Sequence, residues 1–331
     1  MITTSQVNNN TGRTVLITGG CGFIGTNLTK FLITRGYKIK ILDNLSTGKI
    51  ENLASAGLQA HVDNVLIGDV RDRDILEKAV EGVDAVIHLA AHTRVLESLA
   101  NPLQNWDSNA QGTANVLETC RIMNVKTIIF ASSNVAVGQQ NPPVDENKIP
   151  KPISPYGASK LAGEALSAAY HFSYDLNTVS LRFANCYGPY SQHKTSVIAH
   201  FIKQMLQGEP LTIYGDGKQT RDFIHVDDIC KSILLCLKMA DSNLSKQRSI
   251  WGETFQIASG KEISIETLVK MLMDVAQKDI KTKYQPKRPG EIDRNYSNIS
   301  KATVLLGFKP ETDLKTGLTA LWNWFCKGVS Q

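Results

Sequence analysis

No apolar run in this 331-residue sequence is long enough to cross a bilayer, which takes about 20 consecutive apolar residues. Cysteine is sparse, and its positions form no Cys-x-x-Cys pair and no metal-ligand spacing, so we expect neither disulfides nor a metal site. Residues 1–13 are polar and rich in Asn, without the apolar segment of a secretion signal. These absences predict a cytoplasmic protein with no membrane partner, frayed over residues 1–12.

Excess charge is also missing. The 36 basic and 31 acidic side chains leave a formal net charge of +5, and no block of Lys and Arg stands out. Because proteins that bind nucleic acid usually carry a basic patch, we expect no nucleic-acid partner. A hydrophobic content of 42% is that of an ordinary globular protein, and the length favours about two domains.

Short apolar runs alternate with helical patterns over the first half of the chain. One helix is expected near residues 109–123, and another follows Pro155. Parallel strands buried on both faces read as continuous apolar runs, so the pattern predicts an α/β protein with a doubly wound parallel sheet. The predicted strands lie at residues 15–17, 38–42, 65–67, 85–89, 127–130 and 178–181.

After residue 182 the alternation loosens, and Pro and Gly become frequent. We therefore predict a first domain over residues 1–182 and a smaller α/β domain over residues 183–331. Segments within residues 223–258 are expected to pack back on the first domain.

A glycine-rich turn joins the first predicted strand to the first helix. Gly19 permits a tight turn, Gly22 lets the backbone approach a pyrophosphate, and Gly25 allows close packing of the helix. The free N–H groups at the start of a helix favour anions. The turn is therefore a candidate dinucleotide site, although glycine turns also occur as plain connectors.

Asp43 ends the second predicted strand, where a carboxylate can accept hydrogen bonds from ribose hydroxyls. Its charge repels a 2′-phosphate and no Arg directly follows it, which favours NAD over NADP. The alternative is a loop Asp that caps the next turn. Asp69, after the third strand, is a candidate acceptor for the adenine amino group or equally a turn residue.

Tyr156 precedes Lys160 by four residues on a predicted helix, so both side chains lie on one face. A phenol keeps its proton at neutral pH, and a nearby ammonium favours the phenolate. Beside a dinucleotide turn, the pair predicts a base that abstracts a proton next to a hydride acceptor.

These motifs together resemble the extended short-chain dehydrogenases/reductases, and more narrowly the NAD-dependent nucleotide-sugar epimerase/dehydratase family, closest to the UDP-hexose and UDP-N-acetylhexosamine 4-epimerases. The resemblance covers about residues 14–328. Besides the glycine turn and the Tyr–Lys pair, it rests on residues 89–91, 109–113, 182–185, 187–189, 213–217, 221–226 and 288–291.

The resemblance implies a Rossmann domain that binds NAD and a C-terminal domain that binds the nucleotide sugar. Ser133 would hydrogen-bond the reacting hydroxyl beside Tyr156, or else cap its own backbone. Lys160 would hold the nicotinamide ribose, and Asn109 would support the cofactor or make a structural bond. The implied cofactor-binding residues are Gly19, Gly22, Phe23, Ile24, Gly25, Asp43, Asn44, Thr47, Gly48, Asp69, Val70, Leu89, Ala90, Ala91, Asn109, Tyr156 and Lys160.

The same resemblance places the substrate in the C-terminal half. Arg221 and Arg288 would bind the diphosphate, which suits the bidentate guanidinium fork, and Asn185 would contact the same region. Tyr214 would stack on the base, and Glu291 would accept from its ribose hydroxyls. Relatives of this kind form homodimers through helices such as those around Asn109 and Tyr156, so we expect a homodimer.

The expected reaction is epimerisation at C4 through a 4-keto sugar. A dehydratase typically has an Asp-Glu pair after the Ser/Thr position, whereas this chain has Asn134 and Val135. A decarboxylase or uronate epimerase needs groups for a sugar carboxylate, and His92, Arg94 and Lys194 are unassigned cations. A net oxidoreductase and a non-catalytic NAD-binding regulator also remain open.

Two further positions bear on the sugar. In the resembling 4-epimerases a bulky aromatic residue at the position of Asn295 restricts the pocket to simple hexoses. Asn is not bulky, so acceptance of N-acetylated UDP-hexosamines is predicted, unless Asn295 lies on a surface loop. Val137 replaces a tyrosine that is common in the family, which puts one contact with the substrate in doubt.

Overall fold

The computed structural model describes residues 12–241, 250–287 and 292–329. The expectation of a frayed start therefore falls almost wholly outside the described residues. In chain order the strands are β1 (Thr14–Thr18), β2 (Lys38–Asp43), β3 (Val65–Ile67), β4 (Ala85–His88), β5 (Thr127–Ser133), β6 (Asn177–Phe183), β7 (Asn185–Tyr187), β8 (Leu211–Tyr214), β9 (Thr220–Arg221), β10 (Phe223–His225), β11 (Thr254–Ile257), β12 (Ile263–Ser264) and β13 (Thr282–Gln285).

Helices connect most of these strands. They are α1 (Phe23–Ile33), α2 (Ile50–Ser55), α3 (Arg73–Val80), α4 (Val95–Ala100), α5 (Pro102–Trp106), α6 (Gly112–Ile122), α7 (Pro155–Tyr174), α8 (Val197–Gln207), α9 (Val226–Asp241), α10 (Ile265–Ala276) and α11 (Leu314–Val329). Shorter 3₁₀ or π turns are formed by Gln59–Asn64, Asp107–Gln111, Asn134–Ala136 and Ala302–Leu306.

The main sheet is parallel throughout and has seven strands in the order β11-β6-β5-β4-β1-β2-β3. The chain runs outward from β1 to β3 and then returns to β4 on the other side of β1. Ligands of such sheets bind at the carboxyl ends of the strands where the order reverses. This switch point, between β1 and β4, lies directly beside the glycine turn.

Successive residues of the central strands pack into two different cores, one on each face of the sheet. In β1, Val15 and Ile17 join one core, while Leu16 joins the other. All three side chains are fully buried. Because side chains alternate across a strand, an uninterrupted apolar run means that both faces are covered, and the predicted doubly wound parallel sheet is confirmed.

A third core lies under the C-terminal half of the chain. Residues of α8, α10 and α11, such as Phe201, Leu268 and Leu321, pack together there. The chain also re-enters the main sheet, because β11 pairs in parallel with β6. The boundary that we place at residue 182 stays a prediction.

Two elements differ from their sequence patterns. The helix expected from residue 109 begins earlier, at Pro102, and a π turn at Asp107–Gln111 separates α5 from α6. The strand expected over residues 127–130 extends to Ser133, because its last residues pair with β6 up to Phe183. The first difference places the predicted site residue Asn109 on the π turn, and the second makes Ser133 the last residue of β5.

Helix α7 has clear local reasons to begin and end where it does. The Ser154 hydroxyl accepts a hydrogen bond from the Gly157 N–H at 3.1 Å, and Pro155 occupies the first helical position. The helix stops at Asp175, whose backbone is left-handed. Its contact with β5 is close at Gly163, where a Cβ would lie 2.4 Å from Cζ of Phe130.

We therefore predict that Gly163→Ala lowers the free energy of unfolding by about 1–3 kcal/mol, because the added methyl overpacks α7 against β5. Helix propensity alone predicts the opposite, a gain of about 0.5–1 kcal/mol. Urea unfolding of both proteins decides between them. Ala165→Gly, at an exposed position of the same helix, is the control for propensity. Stabilisation by Gly163→Ala would show that the packing against Phe130 is wrong.

Candidate active site

The glycine turn is held tightly between β1, β2 and β4. The N–H of Gly19 donates to Leu42 O at 2.8 Å, and its φ of +72° is left-handed. A Cβ at Gly25 would lie 2.3 Å from Gly19 O, so only glycine lets α1 start this close to the turn. No side chain caps α1 at Gly22. The start of α1 can therefore offer its N–H groups to a phosphate.

Asp43 is buried directly beside this turn. Its carboxylate accepts hydrogen bonds from Cys21 N at 2.9 Å and from Leu45 N at 2.8 Å. Burial raises the pKa of Asp43, while these two N–H groups act to lower it. The bond to Leu45 is the turn cap that the sequence offered as an alternative, and the bond to Cys21 fixes the glycine turn. The predicted role toward the ribose of NAD stays a prediction.

The loop after β2 packs on the glycine turn. A Cβ at Gly48 would lie 2.7 Å from Cys21 C, and Asn44 donates to Asp69 Oδ2 at 2.7 Å. The Arg71 guanidinium beside Asp69 holds the pKa of that carboxyl well below its usual range. These residues lie together at the carboxyl ends of β2 and β3, where the adenosine end was expected.

Four other predicted cofactor residues lie in three different surroundings. Thr47 is exposed on the loop after β2. Val70 is a core residue that meets α6, where a Cβ at Gly112 would lie 2.7 Å from Val70 Cγ2. Phe23 and Ile24 form the first turn of α1, at the helix end aimed at the expected phosphates.

Asn109 positions the loop that follows β4. Its amide accepts from His92 N at 2.8 Å and donates to His92 O at 3.0 Å and to Ser159 Oγ at 3.0 Å. The backbone of Leu89 and Ala90 is held in turn by Thr18, and Ala91 follows in the same loop. Asn109 thus makes the structural bonds that the sequence offered as one of two interpretations.

Ser133, Tyr156 and Lys160 come together where β5 meets α7. The Ser133 hydroxyl lies close enough to the Tyr156 phenol to lower its pKa by hydrogen bonding. The Lys160 ammonium donates to Ala131 O at 2.8 Å and lies 4.9 Å from the Phe130 ring centroid. Ser133 also accepts from Val135 N at 3.4 Å, the backbone cap that the sequence allowed.

The electrostatics of this group differ from the expectation. Burial raises the pKa of Tyr156 to about 12, and the hydrogen bond from Ser133 lowers it only in part. Burial also lowers the pKa of Lys160 to about 7, against the charge of Glu164, which raises it. Desolvation therefore outweighs the predicted effect of the ammonium on the phenol. In the protein alone Tyr156 keeps its proton at neutral pH.

The predicted substrate residues lie around the C-terminal half. Asn185 donates its backbone N–H to Asp222 O at 3.0 Å, and Arg221 donates to Ile292 O at 2.8 Å. Tyr214 ends β8, and Asn295 is half-buried. The predicted ligands Arg288 and Glu291 lie outside the described residues.

Sequence reasoning missed three buried polar residues that organise the site. Ser159 bonds Asn105, Asn109 and the Tyr156 carbonyl. Asp222 accepts from Ser259, from Gly260 and from Ser297. Glu164 binds Arg182. Spacing along α7 could have indicated Glu164, eight residues after Tyr156, whereas the partners of Asp222 are distant in sequence.

The sequence model of the NAD dependent epimerase/dehydratase family matches residues 15–258. The chain belongs to this family. Its cofactor is NAD, and the glycine turn, the uncapped start of α1 and the buried Asp43 fit that cofactor. Among the described residues no group of three His, Cys, Asp or Glu could hold a metal ion, and no helix has the length and apolarity of a membrane span.

Three proteins similar to this chain are named as 4-epimerases of three different UDP-sugars. A UDP-N-acetylglucosamine 4-epimerase of Methanobrevibacter ruminantium M1, solved with UDP-N-acetylmuramic acid, is 36% identical, with a TM-score of 0.87 over 96% of this chain and 99% of that one. A UDP-glucose 4-epimerase of Thermotoga maritima, solved with UDP-glucose, is 32% identical, with a TM-score of 0.86 over 96% and 99%. A UDP-glucuronate 4-epimerase of Thermodesulfobacterium geofontis is 33% identical over 93% of this chain and 95% of its own length.

The position of Asp43 beside the glycine turn predicts that its carboxylate contributes to the affinity for NAD. Asp43→Asn should weaken NAD binding at least tenfold, because an amide cannot accept from Cys21, Leu45 and a ribose as a carboxylate does. Calorimetric titration with NAD measures the change. Asp72→Asn is a matched control, since Asp72 also accepts two backbone N–H groups but caps α3. Equal NAD affinity in all three proteins would contradict the role of Asp43.

Proposed function

We propose that this protein inverts C4 of a UDP-N-acetylhexosamine, interconverting UDP-GlcNAc and UDP-GalNAc and also accepting UDP-Glc and UDP-Gal. The observation that carries the proposal is the group of Ser133, at the end of β5, with the buried Tyr156 and Lys160 of α7. The neighbouring Asn134 and Val135 lack the acid and base with which a dehydratase eliminates water.

The residues of this chain would divide the work in a simple way. Bound NAD supplies reversible acceptance of the C4 hydride. Tyr156 would take the proton of the C4 hydroxyl and later return it, and Ser133 would hold the same oxygen. The Lys160 ammonium, which donates to Ala131 O, would place a positive charge near the side chains of Tyr156 and Ser133. Inversion then requires that the 4-keto sugar turn over while its diphosphate stays bound, which is the role proposed for Asn185, Arg221 and Arg288.

Two predicted positions bear on the choice of sugar. Asn295 is half-buried, which supports a place in the pocket over one on an open surface loop. Val137, at the position of the family's tyrosine, is fully buried and so belongs to the core. The argument about space beside the sugar therefore rests on Asn295, whose compact side chain favours the N-acetylated substrate.

A second candidate, a uronate 4-epimerase, rests on a group of cations. Burial lowers the pKa of His193, and so do the charges of Lys194, Arg94, Lys203 and Lys49. Lys203 donates to Lys194 O at 3.0 Å, and the Lys194 ammonium lies 4.8 Å from the Phe23 ring centroid, at the start of α1. Arg94 pairs with Glu97, whereas in the described part of the chain Lys49, Lys194 and Lys203 form no ion pair. These lysines would suit a sugar carboxylate.

The homodimer is also a proposal. Apolar side chains are exposed on neighbouring helices, among them Leu96 and Leu99 on α4 and Leu103 and Trp106 on α5; Leu103 is 83% exposed. A patch of this kind marks an interface more often than open surface. We expect Leu103→Glu to shift the protein from dimer to monomer in light scattering, whereas Leu45→Glu, a partly buried apolar position beside the glycine turn, should leave the dimer intact. A parent protein that is already monomeric would contradict the proposal.

A panel of UDP-GlcNAc, UDP-Glc and UDP-glucuronate, with products resolved by NMR, tests the function. We expect UDP-GalNAc from UDP-GlcNAc, with no net change at the reduced-nicotinamide band, which separates an epimerase from a net oxidoreductase. Asn295→Tyr should cut kcat/KM for UDP-GlcNAc at least tenfold while sparing UDP-Glc, because the ring fills the space for the acetamido group. Asn298→Tyr, three residues along, is the control.

The other outcomes are equally informative. Turnover of UDP-Glc with none of UDP-GlcNAc would refute the preferred sugar, and turnover of UDP-glucuronate alone would support the second candidate. NAD binding without conversion of any nucleotide sugar would leave a non-catalytic regulator.

A further inference from the structure

A buried carboxylate lies one helical turn beyond Lys160. Tyr156, Lys160 and Glu164 are spaced four residues apart on α7, so their side chains follow one face of the helix. All three are buried. A buried carboxylate needs hydrogen bonds and an opposite charge, because removal from water alone costs several kcal/mol.

Glu164 obtains these partners from two neighbouring strands. Arg182 of β6 donates to its two oxygens, from Nε at 2.8 Å and from Nη2 at 2.6 Å. Ser132 of β5 also donates to Glu164 Oε1. Ser132 and Arg182 are register partners in the sheet, and Ser132 directly precedes Ser133. The carboxylate therefore joins the catalytic helix to the end of β5.

Few other groups can change charge near Lys160. His88 of β4 is kept neutral by burial, which lowers its pKa to about 3, and the pKa of Tyr156 is about 12. Neither titrates between about pH 5 and about pH 9. The guanidinium of Arg182 is the charged partner of Glu164 in the same cluster. The Lys160 amine is thus the group of this cluster that titrates near neutral pH, and Glu164 is the charge that opposes its deprotonation.

We propose that Glu164 is a positioning residue whose buried negative charge keeps Lys160 in its ammonium form at the pH at which Tyr156 acts. The inference rests on the proposed function only in assigning proton transfer to Tyr156. The charge of Lys160 can be measured without turnover. Without Glu164, Lys160 should lose its proton at a lower pH. A neutral Lys160 would no longer balance the negative charge of the Tyr156 phenolate.

The test follows the charge of Lys160 directly. NMR of isotope-labelled lysine side chains, in the protein with bound NAD, gives the midpoint of the Lys160 titration, assigned by the signal lost in Lys160→Met. Glu164→Gln should move that midpoint to lower pH by about one to three pH units, the shift that a close opposite charge produces. The alkaline limit of kcat should move in the same direction.

Matched variants separate charge from structure. Glu164→Asp keeps the charge and Ser132→Ala removes one hydrogen bond, so both should lose stability with a midpoint near that of the parent. If Glu164→Gln does not fold, Glu164→Gln with Arg182→Gln leaves no unpaired buried charge. Because this variant also removes a positive charge, its shift to lower pH should be smaller than that of Glu164→Gln alone. A parental midpoint in Glu164→Gln, or in the double variant where the single one does not fold, would overturn the proposal and leave Glu164 purely structural. Absence of turnover with every sugar would count against the proposed function alone.

Discussion

The structure depends on the burial of a polar helix face against the sheet. Helix α7 presents Tyr156, Lys160 and Glu164 to β5 and β6, where an apolar face would ordinarily pack. Such burial is tolerated only because each group has a fixed partner: Lys160 binds Ala131 O, and Glu164 binds Arg182. The same partners leave the helix little freedom to slide, so the Tyr156 phenol is held in place by the contacts that make its burial possible.

Several loops are likewise held by hydrogen bonds from their backbone to one buried polar side chain. Asp43 fixes the glycine turn through Cys21, and Asn109 fixes both backbone groups of His92. Asp222 gathers Ser259, Gly260 and Ser297 from distant parts of the chain. Ligand contacts in folds of this kind are made by loops. A buried polar side chain that bonds the loop backbone fixes the geometry of the loop more firmly than an exposed side chain would.

The main sheet could be read from the sequence because apolar runs report burial on both faces, as in β1 and β4. Motif spacing likewise located the glycine turn and the Tyr–Lys pair. Three features needed the tertiary structure. The π turn at Asp107–Gln111 leaves no mark in hydrophobic periodicity, and the partners of Asp222 lie far away in sequence. The pKa of Tyr156 depends on how deeply its helix is buried, which local spacing cannot report.

The residues that we propose for chemistry and those that we propose for the choice of sugar lie in separate parts of the chain, and specific hydrogen bonds connect the two. The backbone of Val144, in the loop before α7, pairs with Tyr296 O and Asn298 N, next to the predicted sugar contact at Asn295. Asp222, the residue after Arg221, accepts a hydrogen bond from the backbone N–H of Ser297 in the same segment. A substitution at Asn295 can therefore alter the predicted sugar pocket while the buried face of α7 stays unchanged. A single reaction machinery can in this way serve relatives whose sugars differ.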